Sequence, residues 1–137
     1  MDCPLCIATN EQVVWEDRRC RVIQVHDEAH PGFCRVIWNE HVAEMGDLLP
    51  TDQRHLLEVV LATERALRDL LQPDKMNLAS LGNMVPHLHW HVIPRYTDDR
   101  HFPEPVWGQP QRVGVAHPAA DAVALARAID GALSAGH

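Results

Sequence analysis

Three histidines stand at two-residue intervals, His87, His89 and His91, in the run Pro86-His-Leu-His-Trp-His-Val-Ile-Pro94. Successive side chains of a strand point to opposite faces, so this spacing sets three imidazoles on one face and Leu88, Trp90 and Val92 on the other. Neighbouring rings on such a face are about 7 Å apart, within reach of one small anion, one metal ion or one proton relay. Neutral imidazole is a competent nucleophile toward phosphorus, and with an ordinary pKa of about 6.5 one ring can attack while its neighbour donates a proton. Attack on a phosphate diester or anhydride would pass through a phosphohistidine, with His91 giving the leaving oxygen its proton and Mg2+ riding on a polyphosphate substrate. The competing chemistry is a metallohydrolase in which His87, His89 and His91 themselves hold zinc or iron and activate water.

A second set of candidate ligands lies at the N-terminus. Cys3 and Cys6 form a C-x-x-C pair, a spacing suited to tetrahedral zinc, and two further N or S donors would close the site. His41, just after an apolar run ending at Trp38, is a candidate donor together with His87. Two cysteines and two histidines would make a closed, structural Zn2+ site and leave His89 and His91 free. The alternatives are thiols without metal, or a redox dithiol, which usually follows a strand in a βαβ context that this N-terminus does not offer. Cys20 and Cys34 lie within strand-like runs and read as small buried hydrophobes.

The surrounding pattern supplies the elements that must position these groups. Residues 13–16 and 20–25 read as two strands split by the polar turn Asp17-Arg18-Arg19, residues 26–32 as a loop, and residues 33–38 as a third strand. From Pro50 or Thr51 the pattern becomes helical, with Leu56, Leu57, Val60, Leu61, Leu67, Leu70 and Leu71 forming a packing face up to Pro73. Residues 76–81 and 87–93 read as the fourth and fifth strands. The Pro-, Asp- and Gly-rich segment 97–114 is a long surface excursion, and Pro118 opens an alanine-rich helix with Leu125, Ile129 and Leu133 on one stripe. The sum is an α+β fold, a mostly antiparallel sheet with helices on one side.

A chain of 137 residues has the size of one ordinary domain. No apolar stretch is long enough to span a bilayer and the N-terminus lacks the regions of a signal peptide, so a cytoplasmic protein without a membrane partner is expected. The formal net charge of −7 argues against nucleic acid as a partner, because tracking its backbone requires a clustered basic face. A local group of imidazoles and N–H donors can still hold one phosphate on an acidic protein.

The run His87-Leu-His-Trp-His-Val-Ile93 resembles the signature of the histidine triad (HIT) nucleotide hydrolases and transferases. The C-x-x-C, the strand, loop and strand over 21–38, Glu40-His41 before Asp47-Leu48-Leu49, the long helix and Asn77 follow in that family's order, so the resemblance spans roughly residues 3–96. It implies a five-stranded antiparallel sheet with a long helix and a C-terminal helix packed on it, organised as a HIT domain over 1–112 with a C-terminal extension over 113–137. A homodimer is also implied. The resemblance makes His89 the nucleophile on the α-phosphate of a purine nucleotide derivative and gives His91 the phosphate contact and the assistance to the leaving group. It pairs Cys3 and Cys6 with His41 and His87 around zinc, as in the zinc-containing bacterial-type branch. It matches Asp27 to a residue that binds ribose hydroxyls and Asn77 to one near the phosphates.

The chain departs from the family where many members carry Gln-Ser or Gln-Thr four and three residues before the first motif histidine. Asn83 and Met84 stand there: the amide of Asn83 can still donate, whereas Met84 has no useful donor. Downstream, Arg95, His101 and Trp107 are candidate contacts for a distal phosphate or a second base. The expected activity is hydrolysis or nucleotidyl transfer at a phosphoanhydride or phosphoramidate bond, with dinucleoside polyphosphates ahead of adenosine phosphoramidates because the long loop after the triad could hold a second nucleotide. A nucleotide-binding regulatory module with little turnover is the further alternative.

Overall fold

The computed structural model describes residues 3–135. Five strands, β1 (Gln12–Glu16), β2 (Cys20–Gln24), β3 (Cys34–Trp38), β4 (Lys75–Ala79) and β5 (His89–Arg95), form one antiparallel sheet in the order β1-β2-β3-β5-β4. Three helices accompany it: a single turn α1 (Pro4–Ile7), the long α2 (Pro50–Leu71) and the C-terminal α3 (Ala122–Ala135). This is the expected α+β architecture.

Local chemistry explains the joints. At the β1–β2 turn the Asp17 carboxylate accepts the N–H groups of Arg19 and Cys20, both at 2.8 Å, so a short polar side chain replaces missing ladder bonds. Helix α2 opens with Pro50 in its first turn, where its missing N–H is not needed, and closes at Gln72 in the left-handed region. Its buried stripe runs through Leu56, Val59, Val60, Thr63 and Leu67, while Leu57, Leu61 and Leu70 are exposed, a rotation of the packing face from the one expected. Helix α3 starts at Ala122, not at Pro118, because Asp121 caps it: its carboxylate accepts the Ala124 N–H at 3.0 Å. Leu125 and Ile129 are fully buried in the same core as the sheet and α2, so the helix of the C-terminal stretch is built into the domain core; residues 136–137 of that stretch lie outside the described residues. Among the described residues no helix is long and apolar enough to cross a membrane.

The two faces of the sheet carry different cargo. Val22, Val36, Leu88 and Val92 pack under α2 and α3, whereas Ile23 and Ile37 on the opposite face pack with Cys3 and Leu5. β5 begins at His89, two residues later than expected. Leu88 still holds to its neighbours, donating to the Val42 carbonyl at 2.7 Å and accepting from Trp38 N–H at 3.1 Å, but His87 sits on a bend that frees its ring to turn toward the N-terminus. Because α3 completes the main core, Leu125→Ala should destabilise the chain by about 3 kcal/mol, read as a lower urea midpoint; a loss below about 0.5 kcal/mol would mean that α3 is dispensable packing.

Candidate active site and metal cluster

The N-terminal turn α1 brings Cys3 and Cys6 against His41 and His87, and one ligand atom from each of the four lies within 4.8 Å of all the others. His87 Nδ1 is 3.4 Å from Cys3 Sγ and 3.4 Å from Cys6 Sγ, and His41 Nδ1 is 3.2 Å from Cys6 Sγ. Around a tetrahedral zinc with ordinary bond lengths, neighbouring S and N ligands stand about 3.5 Å apart, so this donor set fits such an ion with little movement. The far nitrogen of His87 supports the same orientation: Nε2–H donates to the Trp38 carbonyl at 2.6 Å, which leaves Nδ1 as the lone-pair nitrogen facing the thiols. Arg21 ties the turn to the sheet through the Leu5 carbonyl at 2.7 Å.

The same residue sets the next one. His89 Nδ1–H donates to the His87 carbonyl at 2.6 Å, so the free lone pair of His89 is on Nε2. Both ring nitrogens of His87 are committed elsewhere, and the three imidazoles do not converge on one point as the metallohydrolase reading requires. The rings of His89 and His91 meet edge to face with centroids 4.9 Å apart, and His91 is further enclosed by Phe33 and Trp107. Both histidines line a cavity of ≈ 430 Å³ together with Leu5, Arg35, Asn83 and Trp107. Burial pushes the pKa of His89 down and that of His91 down to about 4, with the neighbouring His89 and Arg35 acting in the same direction on His91. At neutral pH both rings are therefore uncharged and shielded. Among the described residues no carboxylate lines this cavity, so its wall offers no acidic ligand for the Mg2+ expected with a polyphosphate.

The other residues singled out from the sequence are dispersed. Asn83 is on the cavity wall, and Trp107 lines both this cavity and a smaller one of ≈ 330 Å³ that Asn77 helps to line. Asp27 is outside the wall, with one carboxylate oxygen accepting the Ala29 N–H at 3.0 Å in a local turn. Arg95 does not reach the cavity as a phosphate contact: it is 2% exposed, with Nε and Nη2 on the Asp99 carboxylate, Nη1 on Asn77 Oδ1 and a further bond to the Glu104 carbonyl. Burial alone would raise the Asp99 carboxyl, but the Arg95 guanidinium and the N–H groups of Tyr96 and Phe102 outweigh it and hold Asp99 well below the usual carboxylate range. This pair organises the segment after the triad, which folds back at Gly114 (φ +90), where a Cβ would stand 2.9 Å from the Arg100 backbone nitrogen. His101 belongs to the same structure, its Nδ1 2.8 Å from Nε2 of the buried His30.

Residues 8–98 match the model of the HIT domain. The chain belongs to the HIT domain family. Solved HIT proteins share its whole architecture: a histidine triad protein from Bradyrhizobium japonicum is 31% identical, with 94% of this chain and 92% of that one covered and a TM-score of 0.68. One from Marinobacter aquaeolei is 30% identical over 93% of this chain and 92% of its own, with a TM-score of 0.71. A zinc-bound member from Mycobacterium smegmatis, 21% identical over 98% and 95% of the two chains, has the same fold with a TM-score of 0.63. In sequence, AP-4-A phosphorylase of Mycobacterium tuberculosis is 27% identical over 79 residues, 53% of this chain but only 40% of that protein.

One member of this HIT site escaped the motif reading. Arg35 lines the cavity beside the two free histidines, its Cα paired across the sheet with His91. The signal was available, since an arginine interrupts the apolar run Phe33-Cys-Arg-Val-Ile-Trp38.

His91 also ties the site to acid stability. Its pKa is about 4 in the folded chain against an ordinary 6.5, so between those values the unfolded chain binds a proton that the native HIT domain refuses. Its contribution is complete above about pH 6.5 and is lost as the pH falls toward 4. His91→Gln should therefore remove roughly 2–3 kcal/mol of the decline in stability across that window, measured by urea denaturation at a series of pH values. An unchanged slope would contradict a buried, neutral His91.

Proposed function

We propose that this HIT domain is a nucleotide hydrolase or nucleotidyl transferase working through a covalent nucleotidyl-histidine at His89. The observation that carries this reading is the bond from His89 Nδ1–H to the His87 carbonyl, which presents the basic Nε2 in a cavity beside a second neutral histidine. In the first half-reaction Nε2 attacks the α-phosphorus of a purine nucleotide derivative: a P–N bond forms, the bond to the leaving group breaks, and the electron pair departs with that group. His91 offers an N–H to the departing atom, and the negative charge of the substrate opposes the burial that keeps this ring from holding a second proton. In the second half-reaction water or another acceptor attacks the same phosphorus while its proton passes to His91, restoring the one given up in the first step, and the P–N bond breaks with its electron pair returning to His89 Nε2. Two displacements replace a single difficult one.

Dinucleoside polyphosphates are the favoured substrates and adenosine phosphoramidates the second. The partial similarity to AP-4-A phosphorylase and the cavity wall formed by Trp107, ahead of a second depression, both support that order. Asp27, Asn77 and Asn83 are assigned to substrate binding, Asn83 through its place on the cavity wall and the other two by family position. Cys3, Cys6, His41 and His87 are assigned to a structural Zn2+, a role supported by the distances among them and by the zinc-bound relative. Zinc there would supply folding stability, its four protein ligands leaving no position for water or substrate. A homodimer in the cytoplasm belongs to the same reading, with the edge strand β4 available for pairing.

His89→Asn should lower turnover of diadenosine tetraphosphate and of an adenosine phosphoramidate by at least about 10⁴-fold while the chain keeps its zinc, measured by product release and by metal analysis of the same sample. Cys6→Ser should show the opposite division, losing most of the zinc and several degrees of melting temperature. Turnover by the His89 variant within about tenfold of the parent would exclude the covalent route.

A further inference from the structure

Two arginines interrupt apolar strands on the same face of the sheet, and the protein surrounds them differently. Arg21 on β2 meets both oxygens of Glu11 at 2.7 and 2.9 Å, Asn39 Oδ1 at 2.8 Å and the Leu5 carbonyl at 2.7 Å. Arg35 on β3 has no hydrogen-bonded carboxylate or carbonyl among the described residues: Glu11 acts on it only through its charge, both Glu11 oxygens being held by Arg21, its Nε is buried and unbonded, and its guanidinium carbon lies 5.8 Å from the centre of the Phe33 ring. A cation partly withdrawn from water without a hydrogen-bonded counter-charge is unfavourable, and burial shifts its pKa downward against the opposing charge of Glu11. Arg21 has its anion built in. An anion that hydrogen-bonds Arg35 can arrive from the cavity it lines.

The register says where that anion would lie. Along β3 and β5, Ile37 faces His89 and Arg35 faces His91, so the guanidinium stands one residue pair beyond the nucleophile, on the side away from the Cys3–Cys6 cluster. That is the level of the histidine assigned to the leaving group. Elsewhere in the lining Asn83 offers only a short amide, and Met84, 93% exposed, offers no donor. The strongest donor in the cavity is therefore a guanidinium whose planar fork suits two phosphate oxygens at once.

We infer that Arg35 binds a second phosphate of the substrate, next to the one that His89 attacks, so that the site selects nucleotides whose leaving group is itself a phosphate anion. That the second phosphate belongs to the leaving group rests on the reaction proposed above; its binding at Arg35 does not. Titration calorimetry of AMP and ADP against the zinc-loaded parent, Arg35→Lys and Arg35→Met separates the two. ADP should bind the parent about 10- to 100-fold more tightly than AMP, the size of a charge-assisted phosphate contact. That ratio should fall to near one in Arg35→Met and recover in part in Arg35→Lys, which keeps the charge but not the fork.

Equal affinity of the parent for the two nucleotides, a preference that survives in Arg35→Met, or an equal loss of AMP and ADP binding in that variant would each overturn the assignment. Turnover of diadenosine tetraphosphate, followed in parallel, tests the reaction separately. An intact Arg35-dependent preference without turnover removes the reaction and leaves the phosphate site. Turnover without the preference does the reverse.

Discussion

Everything chemical in this domain depends on how His87 is held. Its Nε2–H is anchored on the Trp38 carbonyl, its Nδ1 faces two thiols, and its own backbone carbonyl accepts the Nδ1–H of His89. One residue thus fixes a metal-ligand cluster with its ring and the tautomer of its neighbour with its main chain. The bend at residue 87, outside the regular ladder of β5, is what allows both orientations at once. A strand extended through that position would keep the ring in line with the other two and away from the N-terminal turn.

The sheet then separates the chemistry from the core. Leu88 and Val92 are held under the long helix, so the odd-numbered histidines are driven to the opposite face, where Leu5 and Ile37 give them apolar surroundings. That environment removes water and favours the neutral rings. The chain as a whole is acidic, yet the cavity wall carries an arginine and no acid among the described residues. Local field, not net charge, determines what such a pocket attracts.

Much of this was legible before any coordinates. Two-residue spacing identified the functional strand because a strand leaves no other arrangement for alternating imidazoles and aliphatics, and the four-residue cluster followed from ligand types and their order along the chain. The sequence was less informative where meaning depends on a distant partner. Arg95 reads in the sequence as a candidate phosphate contact, but Asp99, four residues later, claims it from within the following loop. Pro118 looked like a helix start, but Asp121 supplies the cap and the helix waits for it. Arg35 carried no motif at all. Beyond its interruption of an apolar run, its significance appears when the β3–β5 register sets it across from His91 on a cavity wall that carries no acid among the described residues.

The central claim is that the main chain of His87 fixes His89 with a bare, basic Nε2. Nitrogen-detected NMR of the zinc-loaded chain, labelled at the histidine rings, reads this directly near neutral pH. The account predicts that His89 carries its proton on Nδ1 and none on Nε2. A ring protonated on Nε2 alone, or with Nε2 coordinated to metal, would contradict it.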